Sequence, residues 1–204
     1  MWPYSYDSCD LGTFPNQTTA DGEPAAALEG SRSGTPVSYL PGQRVSACTC
    51  PGGDHPGPSN DIGRGVPEID IIEHQIDVSL WQGEVSQSFQ VAPFNYQYEF
   101  YNSTSDITIY DDSITSLNSY KGNQYQQAIS AATLIDKTHY NGEAYGAYGF
   151  EWYSDPDNRD DGFIEWVSGG KQSFKVLPSA SRADPVTEIS DRIIAEEPMV
   201  CFSQ

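Results

Sequence analysis

Three carboxylates, Glu68, Asp70 and Glu73, fall within six residues of the run PEIDIIEHQ, whose other members are mostly apolar and β-branched. Carboxylates this close repel one another, and the repulsion raises the proton affinity of at least one of them. Glycoside hydrolysis uses such an arrangement. A retaining mechanism needs one ionised carboxylate to attack the anomeric carbon and one protonated carboxyl to release the departing oxygen, the two standing about 5–5.5 Å apart. An aspartate between them can orient the nucleophile and tune its charge.

The element that must present these groups is a strand. Residues two apart on a strand share a face, so Glu68 and Asp70 point together while Ile69 and Ile71 point to the core. Glu73, five residues beyond Glu68, then faces the wrong way. One extra residue, Ile71 or Ile72, taken up as a β-bulge restores the register and brings Glu73, with Gln75, onto the face of Glu68 and Asp70. The expectation is three carboxylates along one concave surface. With 12 Glu and 17 Asp in the chain, about 0.06 chance occurrences of this spacing are expected, which makes the spacing suggestive on its own. The competing reading is an amphipathic edge strand whose solvent face is acidic.

The texture of the chain supports an all-β organisation. Residues 1–66 are loop-like and crowded with Gly, Pro, Ser, Asn and Asp, as in TTADGEPAAALEGSRSGTP and CPGGDHPGPSNDIGRG. Residues 67–204 carry short alternating runs, EIDIIEHQIDVSLW, EVSQSFQVAP, YQYEFY, DITIYD, AYGFEWY, GFIEWVSGG and QSFKVL, separated by turns at the spacing of a sandwich or jelly roll. Only SYKGNQYQQAISAATLI is open to a helical reading. The chain reads as one domain spanning 1–204, in a loop-rich and a strand-rich part.

Charge narrows the partners. The chain has 29 acidic against 10 basic residues, a formal net charge of -19, which repels nucleic acid and anionic membrane surfaces and favours a neutral partner. Sugar rings stack on flat side chains. Trp2, Tyr4 and Tyr6 alternate ahead of a loop and are candidate substrate contacts, as are Gln75, Gln87 and Gln90 near the acids through their amides. Trp81, Trp152 and Trp166 lie in strand-like runs and read as core. His74 adjoins Glu73 but falls off the carboxylate face, which favours a packing role over proton transfer.

Cys9, Cys48, Cys50 and Cys201 admit three disulfide pairings. The sequons at Asn16 and Asn102 agree with a secretory compartment. CTCPGGDH lacks the second ligand pair of a zinc finger, and Arg159 interrupts DPDNRDDG in either calcium-loop register. No metal and no cofactor are expected.

EIDIIE resembles the E-[ILV]-D-x-x-E signature of glycoside hydrolase family 16. The longer words WPYSYDSCDLGTFPNQT, SYLPGQRVSACTCPGGDHPGP, GRGVPEIDIIEHQ, VSQSFQVAPFN and YGFEW resemble the fungal β-glucan synthesis-associated proteins, the killer-resistance clade of that family, from Trp2 to about Pro198. The resemblance implies a concanavalin-like β-jelly-roll sandwich acting on β-glucan, with Glu68 as nucleophile, Asp70 as its helper and Glu73 as general acid/base. It implies a role in β-1,6-glucan biosynthesis at the fungal cell wall, with transfer favoured over hydrolysis. Family members carry a single membrane anchor and strands on both sides of the matched region, so the resemblance also implies a partial domain, anchored only through a segment absent here. A non-catalytic glucan-binding or scaffold protein is the alternative.

Overall fold

The computed structural model describes residues 67–91, 98–123, 126–183, 191–195, 199 and 201, and among these residues nine strands form two antiparallel sheets. In chain order the strands are β1 (Glu68–Asp77), β2 (Gln82–Val91), β3 (Ile107–Ile109), β4 (Thr115–Leu117), β5 (Gly122–Asn123), β6 (Gln126–Leu134), β7 (Gly149–Tyr153), β8 (Phe163–Ser168) and β9 (Lys171–Val176). A single helical turn, α1 (Lys137–Tyr140), follows β6 and is capped by the Asp136 side chain. Among the described residues no helix is long and apolar enough to cross a membrane.

The first sheet runs β1-β2-β6-β4, with β5 also on β6, and the second runs β3-β9-β8-β7. All pairings are antiparallel. The expectation of an all-β chain is met by this arrangement. Between the sheets lie Phe89, Ile129, Ile164, Trp166, Phe174, Val176 and Ile194, all fully buried. Trp166 stacks flat on Phe174, ring centroids 4.3 Å apart. Burial of side chains this large, each contributing about 1.5–3 kcal/mol, is the main force joining the sheets.

Several sequence expectations are corrected. The segment open to a helical reading forms β5 and β6, and β6 pairs on both sides, with β2 and with β4 and β5. Its alanines are good helix formers, but pairing with neighbours in a half-formed sheet outweighs a propensity worth only tenths of a kcal/mol per residue. Tyr98–Tyr101, part of the YQYEFY run, is not a strand, and Tyr98 takes a left-handed φ of 57°. Trp81 is not core: it ends the turn between β1 and β2, 84% exposed, at a φ of 51°. Trp166 is core as expected, and Trp152 packs at its margin while its indole N–H donates to the Ala195 carbonyl at 2.7 Å. DPDNRDDG is a turn, with one 3-10 turn at Arg159–Asp161.

Candidate active site

The β1–β2 ladder decides where the carboxylates point. Glu68 lies opposite Gln90 and Asp70 opposite Ser88, but Glu73 lies opposite Ser86, one step out of the first register. Two residues of β1, Ile71 and Ile72, therefore stand against one residue of β2, Gln87. This is the β-bulge that the spacing of the acids requires. It places Glu68, Asp70, Glu73 and Gln75 on one face, over Gln90, Ser88, Ser86 and Glu84 of β2. On the next strand, Ala128, Ser130 and Ala132 of β6 continue that face. The floor beside the acids is thus built of small side chains, which leave room above the sheet.

Hydrogen bonds tie the acids to this floor. Asp70 Oδ2 accepts from the Ser88 hydroxyl and from the Gln90 amide. Gln90 Nε2 also lies 3.5 Å from Glu68 Oε1, and Gln90 Oε1 accepts from Gln126. Burial, then the Asp70 charge, then a hydrogen bond with Asp70 lift the Glu68 carboxyl above the usual carboxylate range, against a smaller opposing effect of Gln126. Glu73 is lifted too, by burial first and the Asp70 charge second. Both glutamates reach solvent at the surface of β1 while being partly desolvated by their neighbours. The site therefore has two acids inclined to hold a proton, with a hydrogen-bonded aspartate between them. Ser130 Oγ, buried on the same face, has no hydrogen-bond partner among the described residues.

The bulge itself is held from inside. Trp166 Nε1 donates to the Asp70 carbonyl at 2.9 Å, and Gln87 Nε2 donates to the Ile71 carbonyl at 2.9 Å. A bulge takes carbonyls out of the regular ladder, and a buried carbonyl without a donor costs about 1–3 kcal/mol. These two side chains supply the missing donors.

The expected substrate contacts divide. Gln90 sits among the carboxylates as described. Gln75 shares their face and donates to Glu84 at 2.7 Å on the exposed surface. Gln87 does not face the groove: it is fully buried between the sheets, because it and Gln90 are an odd number of residues apart and so point to opposite faces. His74 lies off the carboxylate face and packs edge-on against the Tyr148 ring at 5.7 Å. Asn102 is exposed and Cys201 is an exposed free thiol. Trp2, Tyr4, Tyr6, Cys9, Asn16, Cys48 and Cys50 lie outside the described residues. Ser88 and Gln126 are site residues that the sequence pattern did not single out, and Trp166, core as expected, also reaches the site through its indole N–H. For Ser88 the signal was present, since it alternates with Ser86 and Gln90.

The comparisons with known proteins are consistent in kind. The family model described as "Beta-glucan synthesis-associated protein SKN1/KRE6/Sbg1" matches residues 1–203. Beta-glucan synthesis-associated protein KRE6 of Saccharomyces cerevisiae is 38% identical over 207 residues, covering 98% of this chain and 25% of the relative. SKN1 of the same yeast is 39% identical over 207 residues, covering 98% and 23%. KRE6 of Candida albicans is 39% identical over 209 residues, covering 98% and 25%. The chain spans about a quarter of the length of the curated relatives it matches. No solved structure matches.

Proposed function

Since the chain belongs to the β-glucan synthesis-associated family, we propose that it is a retaining β-glucan glycosidase or transglycosylase of cell-wall biogenesis, on a jelly-roll fold of the glycoside hydrolase family 16 type. The observation that carries this reading is the bulge between Asp70 and Glu73, which puts three acids on one face. Glu68, once ionised, attacks the anomeric carbon and forms a glycosyl ester. Glu73, whose carboxyl holds its proton above the usual range, donates it to the departing glycosidic oxygen. In the second step Glu73, now ionised, takes a proton from the incoming hydroxyl of a glucan or water, and the ester breaks. Asp70, held by Ser88 and Gln90, stands beside Glu68 on the same face and orients it. The reading places the chain in the secretory pathway or at the cell surface, with neutral β-glucan as partner.

One observation favours a non-catalytic glucan-binding or scaffold role. Burial and Asp70 hold the Glu68 carboxyl up, although a nucleophile must be ionised. Product analysis separates the two readings. Incubation with β-1,3- and β-1,6-linked glucan oligomers gives shortened or elongated β-linked products in the catalytic case, and none with Glu68→Gln or Glu73→Gln. Retained glucan binding with no product from the folded wild-type chain establishes the scaffold role instead.

A further inference from the structure

The bulge in β1 has a counterpart across the sandwich. In the β8–β9 ladder Glu165 pairs with Lys175 but Val167 pairs with Gln172, so Ser173 and Phe174 of β9 stand against one residue of β8, Trp166. In each sheet, then, one residue faces a bulge: Gln87 faces Ile71 and Ile72, and Trp166 faces Ser173 and Phe174. Both reach across to the other sheet. Trp166 donates its indole N–H to Asp70 O in the first sheet, at 2.9 Å. Gln87 donates to Val167 O in the second sheet at 3.0 Å, and Ser173 Oγ lies 2.7 Å from Gln87 Oε1, donating to it. The second amide proton of Gln87 goes to Ile71 O in its own sheet.

Gln87, Trp166 and Ser173 are all at least nine-tenths buried, Gln87 and Trp166 completely so. A fully buried glutamine between two sheets is costly unless satisfied. Here both amide protons and the amide oxygen are used, and every bond touches a bulge or the residue beside one. An apolar side chain of the same volume would fill the space equally well. What it would not do is donate to Ile71 O and Val167 O together, so the polar group is explained by position rather than by packing.

We infer that Gln87, braced by Ser173 and backed by Trp166, is the positioning residue of the site: it locks the two facing bulges together and so holds Glu73 on the face of Glu68 and Asp70. The inference rests on the retaining reading for its catalytic consequence and on geometry alone for its structural one. If the lock is lost, β1 gains access to the register without the bulge, in which every residue beyond Asp70 changes face. Glu73 then leaves the groove while Glu68 and Asp70 stay. Gln87 touches no substrate and acts only through the backbone of β1.

The test uses Gln87→Met, which keeps the volume and removes the donors, with Ser173→Ala as a milder second variant that removes only the brace on the amide oxygen. The first readout needs no turnover: titration of the Glu68 and Glu73 side-chain carboxyls by NMR, with hydrogen exchange of the β1 amides. In Gln87→Met the Glu73 titration returns toward the ordinary glutamate value and amide exchange speeds up beyond Ile72, while Glu68 moves less. Ser173→Ala shifts both in the same direction by a smaller amount, and it carries the test if Gln87→Met does not fold. Unchanged Glu73 titration and β1 exchange in the folded variants overturn the inference, whatever the activity of the wild-type chain.

The second readout divides the chemistry. A glucosyl fluoride needs no acid to expel its leaving group, so in the first turnover, read as the burst of fluoride release before the Glu73-dependent second step, Gln87→Met reacts with it at a rate within about three-fold of wild type through Glu68. With a glucan oligomer, which needs Glu73, its kcat falls about 100-fold with little change in KM. Equal losses on both donors overturn the inference. A wild-type chain inert toward both donors removes the retaining reading and leaves the titration result standing alone.

Discussion

Replacing Trp166 by Phe removes one hydrogen bond and part of one ring, and the structure sets the size of the effect. The phenyl ring keeps most of the stack on Phe174, which lies face to face with Trp166 at 4.3 Å. The indole N–H that reaches Asp70 O at 2.9 Å is lost. That carbonyl lies at the bulge, and leaving it without its donor costs about 1–3 kcal/mol. The smaller ring leaves about 40 Å3 unfilled, which at about 24 cal/mol per Å3 adds about 1 kcal/mol. The total is about 2–4 kcal/mol, a large share of a marginal stability. Urea unfolding is the assay: the midpoint falls, the slope m stays at the wild-type value, and Tm drops by about 5–15 °C. Trp152→Phe is the internal comparison. Its indole also donates to a backbone carbonyl, that of the buried Ala195, so it loses a comparable bond while the β1 bulge keeps its donor, and the titration of Glu73 stays at its wild-type value. A Trp166→Phe loss below about 1 kcal/mol, or a Glu73 titration as unchanged as in Trp152→Phe, refutes the claim that the bulge depends on this donor.

Three further outcomes follow from the same geometry. Folding raises the proton affinity of Glu68 and Glu73, so their favourable contribution is full below the ordinary value of 4.5 and is lost as pH rises through their higher folded values. Glu68→Gln and Glu73→Gln should therefore melt above wild type at pH 7–8 by calorimetry, with the gap closing near pH 4. In kcat/KM against pH, the alkaline limb reports Glu73 losing its proton and lies above the ordinary glutamate value; Glu73→Gln abolishes that limb along with most of the activity. Trp81→Asn should leave thermal stability unchanged or raise it by up to about 1 kcal/mol, since the ring is mostly exposed and asparagine tolerates the left-handed φ of 51° better. A loss above about 2 kcal/mol in that variant means Trp81 carries packing after all.

The bulge was legible because it follows from parity: Glu68 and Glu73 share a face only if one residue between them is extra, and the ladder places that irregularity between Asp70 and Glu73. The same parity argument, applied to β2, assigns Gln87 to the core face with Val85 and Phe89 and Gln90 to the groove with Ser86 and Ser88. Weighing the two glutamines as amides alone concealed this. Trp81 was misread because IDVSLW continues an apolar run through what is a turn: Asp77 Oδ1 accepts from the backbone N–H groups of Ser79 and Leu80 and reverses the chain. The Ala-rich β6 shows the limit of local reading, since its state depends on strands distant in sequence. The contact of Trp166 with the Asp70 carbonyl spans 96 residues, and no local pattern encodes it.

The central claim is that Glu68 is a nucleophile, and covalent trapping tests it most directly. The folded chain is incubated with 2-deoxy-2-fluoro-β-glucosyl fluoride and the intact mass is measured, followed by peptide mapping. The account predicts an increase of one fluoroglucosyl unit, carried by the peptide containing Glu68, absent from Glu68→Gln and still formed by Glu73→Gln. No adduct on the folded wild-type chain, or an adduct on another residue, contradicts it.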